Sequence, residues 1–347
     1  MNHRVSEKRN MSLSRIIPPR PANTFSATIS GNRHRTVDSP PSPAQFPTVS
    51  LSALRARFIA FTITLTVLVN ALTAASPSVA EAEAMFNERR YAEAQPIFEA
   101  VLETDPQNPR ALLHLGQLAN KRGDRALAVK YLAKAVAIAP DHAELQFEYG
   151  AASSLYAGSL GMSFAALGAA RRGRDAMQKA VALAPSNLMF RQGLLEFYAG
   201  APSLVGGGMK QAHAQAEAIA ALDPNQGAFA HANLHRAEGD HPAALSSLAS
   251  ILERDPDNYI ALFQFGRVAA ESGLELERGL QNLHRCLELP APDKGASLAS
   301  VWWRIGQTLS RLGNLPAARE ALEQAQSLAP HDARITKEIA DLPPPSP

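Results

Sequence analysis

Six prolines, at positions 106, 140, 185, 224, 256 and 330, each close a segment in which the same residue types recur at the same distances. Twelve positions before them stand Ala94, Ala128, Gly173, Ala212, Ala244 and Ala318, all small. Eight before stand Phe98, Leu132, Met177, Ala216, Leu248 and Leu322, and five before stand Val101, Ala135, Ala180, Ile219, Ile251 and Ala325. These offsets differ by four and three residues, so the three positions share one face of an α-helix. The small residue admits a second helix closely, and the larger ones fill the groove between the two. The proline intervals are 34, 45, 39, 32 and 74 residues, the last covering two units. A unit of that length is a helix hairpin that cannot bury its apolar face alone and must stack on its neighbours.

The helix preceding each of these carries its own signature. Leu115-Gly116, Tyr149-Gly150, Phe265-Gly266 and Ile305-Gly306 put a bulky residue before a glycine at mid-helix. Glycine there costs about 1 kcal/mol relative to alanine, so its recurrence marks a close helix crossing. Gly123, Gly239, Gly273 and Gly313 then break the first helix from the second. Aromatic residues make up only 6% of the chain. Ala and Leu carry most of the apolar content, which favours helices, and β-branched residues are sparse after residue 80, which argues against a sheet.

Together, an aromatic residue, Leu-Gly, Ala, Phe, Ala and Pro over 34 residues resemble the tetratricopeptide repeat (TPR) unit. The last unit matches best, with Trp302, Ile305, Gly306, Gly313, Ala318, Leu322, Ala325 and Pro330. The resemblance runs over residues 82–330. It implies an all-α fold: a right-handed superhelical solenoid of about seven TPR-like helix hairpins with a C-terminal capping helix, occupying residues 81–342. The third unit has about eleven extra residues around Tyr156–Gly168, and the fourth about five between Ala201 and Gly208. The sixth slips by one residue, placing Gly279, Leu283 and Cys286 at the core offsets, and a loop through Pro290–Asp293 follows it. A final helix near His331–Asp341 caps the array with a polar outer face; residues 343–347 form a proline-rich extended tail.

Ahead of the repeats, Arg55 and Arg57 precede an apolar run from Phe58 to Val69, and small residues follow as far as Ala80. Residues 51–80 therefore read as a signal peptide, with cleavage favoured after Ala80. The alternative is an uncleaved anchor, although the run falls short of the roughly 20 residues needed to span a bilayer. Residues 1–50 are rich in Pro, Ser and Arg and are expected to be disordered, from a start codon assigned too early or an organelle-type transit segment. The expected location is periplasmic or secreted, with inner-membrane anchoring as the alternative.

Of 34 basic and 32 acidic residues, nine and two lie in residues 1–80, so the repeat body carries 25 and 30 and is acidic. That is a poor match for nucleic acid. The single cysteine, Cys286, excludes an intrachain disulfide and reads as a buried structural thiol.

No catalytic motif, P-loop or dinucleotide fingerprint appears, so the chain reads as a non-enzyme without a cofactor. The resemblance implies that the first helices line a concave groove holding a protein or peptide partner. One row of groove positions reads Leu113, Phe147, Gln192, Phe229, Phe263 and Trp303. The row four residues along reads Gln117, Ala151, Glu196, Asn233, Arg267 and Gln307. An apolar row beside a polar one suits an extended peptide or a partner helix, while aromatic residues at this spacing also serve as packing between helices. The pattern departs from the TPR groove that clamps a C-terminal carboxylate, because Leu113 and Phe147 stand where that groove needs lysine.

Three features point elsewhere. Gly206, Gly207 and Gly208 open a helix near Met209, as an anion cradle or a flexible lid. His231 and His235, with His241 after them, have a spacing that can hold zinc. No Cys, Asp or Glu completes that set locally, so they read as packed imidazoles and no metal site is assigned. Acidic pairs such as Glu81 and Glu83 are expected on solvated faces. The expected function is a protein-interaction scaffold of the cell envelope. The alternative is an accessory or metal/anion-dependent enzyme built on the glycine-rich insert and the histidines.

Overall fold

The computed structural model describes residues 78–293 and 295–343. The disordered leader expected over residues 1–50, the body of the signal or anchor over 51–77, and the tail beyond residue 343 lie outside the described residues. No described helix is long and apolar enough to cross a membrane.

The described residues form seven helix hairpins and a final single helix, with no β-strand among them. The hairpins pair α1 (Val79–Asn87) with α2 (Tyr91–Thr104), α3 (Pro109–Lys121) with α4 (Arg125–Ile138), and α5 (Ala143–Ser159) with α6 (Phe164–Leu183). They continue with α7 (Leu188–Gly200) and α8 (Met209–Ala220), α9 (Pro224–Glu238) and α10 (His241–Arg254), α11 (Tyr259–Ser272) and α12 (Leu276–Glu288), and α13 (Leu298–Arg311) and α14 (Leu315–Leu328). Helix α15 (Ala333–Asp341) closes the series.

Local sequence explains where the helices start. The side-chain oxygens of Asn108, Asp124, Asn187, Asp240, Asn258 and Asn314 each accept the amide three residues on, from Ala111, Leu127, Phe190, Ala243, Ala261 and Ala317. Each cap satisfies an amide with no partner inside its helix and contributes about 1 kcal/mol. Helix α12 lacks this device. It starts from Glu275, whose backbone is left-handed (φ 46°), and no side chain caps it. Its core face is shifted by one residue, and Gly279, Leu283 and Cys286 are the residues it buries.

Every residue at the three repeating offsets is buried. In the second, third and seventh hairpins the residue eight before the proline sits on the mid-helix glycine of its partner helix. A Cβ on Gly116 would lie 2.6 Å from Leu132 Cγ, one on Gly150 2.7 Å from Met177 Cγ, and one on Gly306 2.6 Å from Leu322 Cγ; in the shifted unit, one on Gly266 would lie 2.3 Å from Leu283 Cγ. In these four hairpins glycine is therefore the socket into which a large core side chain of the second helix fits, and its low helix propensity is offset by the burial it permits.

First helices α1 and α3, α3 and α5, α5 and α7, and α11 and α13 touch one another, whereas no second helix makes comparable contact with the next second helix. The first helices thus form the inner layer of the solenoid. The extra residues of the third unit do not form a loop. They lengthen α5 to 17 residues and α6 to 20, joined by a short link.

Candidate functional site

The inner face is built from residues of α3, α5, α7, α9, α11 and α13, and the apolar row divides along it. Leu113 is 3% exposed, packed among Leu112, Leu132 and Leu145. It belongs to the core and lines no groove, because α4 and α5 close over it. Phe147 is half-buried, stacked on Phe190 with ring centroids 4.7 Å apart and pressed against Gly193 of the next hairpin. It wedges the third and fourth units together. Phe229 and Phe263 are half-buried at the margins of two core clusters. Trp303 is covered from the C-terminal side: its indole N–H donates to Glu338 of α15, and the Arg304 and Arg334 guanidinium groups each lie 4.6 Å from its ring centroid.

The polar row is linked from helix to helix. Gln117 donates to Glu148 Oε1 at 3.0 Å, joining α3 to α5; burial raises the Glu148 carboxyl above its ordinary range. Gln192 donates to Glu196 Oε1 at 3.0 Å within α7, where Glu196 is exposed. Asn233 is also exposed. Gln307 donates to Glu338 Oε2 at 2.9 Å, so the final helix ties down both Trp303 and Gln307.

The C-terminal half of this face is rich in arginine. Glu271 of α11 pairs with Arg304 of α13 at 3.0 Å and reaches Arg236 of α9 at 4.0 Å. Arg267 donates to Gln264 Oε1 at 2.6 Å. Burial lowers the pKa of both Arg267 and Arg304; their guanidinium groups have lost much of their water. The Nε atoms of Arg236 and Arg267 are buried and have no acceptor. Beside them a polar cleft of about 380 Å³ is bounded by Glu271, Arg304, Gln307, Ser310, Arg311 and Glu338.

The inserts of the third and fourth units build a second concavity. A largely apolar cleft of about 810 Å³ lies between the lengthened α5–α6 hairpin and the segment after α7, lined by Ala157, Phe164, Leu167, Phe197, Leu204 and Val205. Met162 and Phe164 stand fully exposed at its edge. The glycine run beside it is held by its own backbone. The amides of Gly206, Gly207 and Gly208 donate to Ser203, Pro202 and Tyr198 carbonyls at 2.9, 3.1 and 2.8 Å, leaving none for an anion. Arg174 donates to the Val205 carbonyl at 2.9 Å, and Val205 is buried in the 3₁₀ turn Ser203–Val205. Gly207 has no side chain because a Cβ there would lie 1.8 Å from the Ala201 oxygen.

Two further expectations need correction. Glu83 is not on a solvated face: its side chain is 15% exposed, and it pairs with Arg110 and with His114 of α3. His231 and His235 do have company. His213 of α8 joins them, and ligand-capable atoms of the three rings all lie within 4.8 Å of one another. His241 heads α10 outside this group. The missed signal was symmetry about a turn. His213 lies seven residues before the end of α8 and His231 seven after the start of α9. Antiparallel neighbours joined by three residues bring such positions side by side.

Models of the tetratricopeptide repeat match residues 85–152, 229–275 and 299–332. The unmatched middle, residues 153–228, is where the two inserts fall. Among solved structures, the chain is similar to a tetratricopeptide repeat protein from Parabacteroides merdae (13% identity, 76% of this chain and 96% of that one, TM-score 0.51). It is also similar to the C-terminal part of a TPR repeat-containing protein from Cytophaga hutchinsonii (16% identity, 75% and 98%, TM-score 0.52). At these identities the likeness is one of fold. No curated protein matches.

Proposed function

Starting from the premise that this chain is a tetratricopeptide repeat protein, we propose that it is a non-catalytic scaffold of the cell envelope. Its inner face takes up an extended peptide or helix of a partner protein. The observation that carries this reading is the arginine row on α9, α11 and α13. Arg236 and Arg304 share one carboxylate, Glu271, while Arg267 between them donates to Gln264. Arg236, Arg267, Arg304 and Arg311 outnumber Glu271 and Glu338 on this face, and a carboxylate from a bound segment would balance that charge through charge-assisted hydrogen bonds. Phe229 and Phe263 flank that row and would take apolar side chains of the same segment. The partner sequence is therefore acidic with interspersed apolar residues.

The apolar run preceding the repeats supports export of the chain, with the array released outside the inner membrane. The test is affinity capture from envelope extracts with the immobilised chain, comparing wild type with Arg267→Gln and Arg304→Gln. A protein retained by wild type and lost from both variants, with helicity unchanged by circular dichroism, is the expected result. Identical capture by all three would refute the groove.

A further inference from the structure

We infer that His213, His231 and His235 form a binding site for a divalent transition metal, zinc by chemistry, which clips the fourth hairpin to the fifth. The rings come from two helices. His213 projects from α8, and His231 and His235 from successive turns of α9. His213 Nδ1 and His231 Nδ1 face each other at 3.3 Å. Two imidazole nitrogens bound to one tetrahedral zinc at about 2.0–2.1 Å stand about 3.3–3.4 Å apart, so this pair already has the spacing of one edge of the coordination tetrahedron. The third ring is within 4.8 Å. Bringing it to the same edge length takes a movement of up to about 1.5 Å, within reach of rotation of a partly exposed side chain.

The far sides of these rings are furnished as metal-bound histidines usually are. His213 Nε2 lies 2.9 Å from Glu238 Oε2, and His231 Nε2 lies 3.4 Å from Glu217 Oε1. Carboxylates there hold each ring with its Nδ1 lone pair facing inward and increase its basicity as a ligand. Glu238 Oε2 is also 3.8 Å from His235 Nδ1, so one carboxylate stands beside two of the three rings in the outer shell, and water would take the fourth position on the metal. Three imidazoles with a water suit zinc and its neighbours in the divalent series, and do not suit magnesium or calcium. Burial lowers the pKa of His231 against the opposing pull of Glu217, with His213 and His235 adding to the lowering, which favours the neutral ring that coordinates.

A metal here would have a structural effect that follows from the architecture. In a stacked array each unit touches only its neighbours, and the interface between units carries much of the stability. Helices α8 and α9 belong to different hairpins, so a bond network joining them fixes the angle between the fourth and fifth units. The competing arrangement is a metal-free His213–His231 N–H···N hydrogen bond.

The test uses the full chain without an affinity tag of histidines, stripped with chelator and titrated with Zn²⁺ against a chromophoric competitor, then with Co²⁺ by absorption spectroscopy. Wild type should bind one Zn²⁺ per chain and give the intense visible bands of four-coordinate cobalt. His213→Gln and His231→Gln should each lose that site. Glu217→Gln should weaken it by about 10–100-fold, and His241→Gln should leave it unchanged. Because the variants could alter folding, their circular dichroism and metal-free melting are compared with wild type. Loss of zinc binding in a variant with an unchanged metal-free melt supports the site. Zinc binding that is multiple and weak in wild type, or equal in the His213→Gln/His231→Gln double variant, overturns it in favour of the hydrogen-bonded pair.

Discussion

Replacing glycine by alanine at two helical positions should change stability in opposite directions, and the reason lies wholly in what faces each position. At Gly266, on α11, alanine would gain about 1 kcal/mol of helix propensity. Its Cβ, however, would meet Leu283 Cγ, Cδ2 and Cδ1 at 2.3, 2.7 and 2.9 Å, and Leu283 is 0% exposed with nowhere to move. Overpacking a closed core typically costs about 1–3 kcal/mol. Three such contacts with one immobile side chain put this case near the top of that range, so the net loss is about 2 kcal/mol. Gly168, on α6, meets only the end of Arg172, at 3.4 Å. There the propensity term stands alone, and Gly168→Ala should stabilise by about 0.5–1 kcal/mol. Urea unfolding followed by far-UV circular dichroism reads both, as shifts of the midpoint at unchanged slope. A Gly266→Ala protein as stable as wild type would mean that the hairpin crossing is looser than described, and the socket argument would fail for the other three glycines too.

Further outcomes follow from single groups. Cys286 is buried, its thiol pushed up to about 12 by burial, so a thiol reagent at pH 8 should leave the native chain unlabelled and modify it only on unfolding. Asp223 accepts the amides of Asn225 and Gln226 at 2.9 and 3.0 Å, so Asp223→Ala should cost about 1 kcal/mol through loss of the α9 cap. His231 has its pKa lowered from 6.5, chiefly by burial. The unfolded chain therefore binds its proton more readily than the native one, and metal-free stability should fall as pH drops below about 6.5. His231→Gln should flatten that slope, and an unchanged slope would refute the assignment. Met162→Ser and Phe164→Ser remove fully exposed side chains and should shift stability by less than about 0.5 kcal/mol.

The fold was readable because its determinants are local and repeated. A small residue, a larger one and a third at offsets of 12, 8 and 5 fix one helix face, and the same glycine faces that helix in several units. The slip of the sixth unit was visible too, since only Gly279, Leu283 and Cys286 restore the pattern there. What the sequence hid was pairing between helices that the repeat does not encode. Leu113 looked like a groove residue by register, yet α4 and α5 close over it. Trp303 looked open, yet α15, which belongs to no repeat, brings Glu338 and Arg334 to it. His213 has no partner within its own helix, and it acquires two only when α8 and α9 fold back on each other. Glu83 likewise finds Arg110 and His114 one hairpin away.

Central to everything above is that the hairpins stack in a line, each touching only its neighbours, with the first helices inward. Small-angle X-ray scattering of the repeat body, residues 81–342, addresses this most directly. A compact globule of that size has a radius of gyration of about 18 Å. The stacked array predicts a clearly larger value and a pair-distance distribution with an extended tail. A radius near about 18 Å with a symmetric distribution would contradict the linear stack, and the inner face with it.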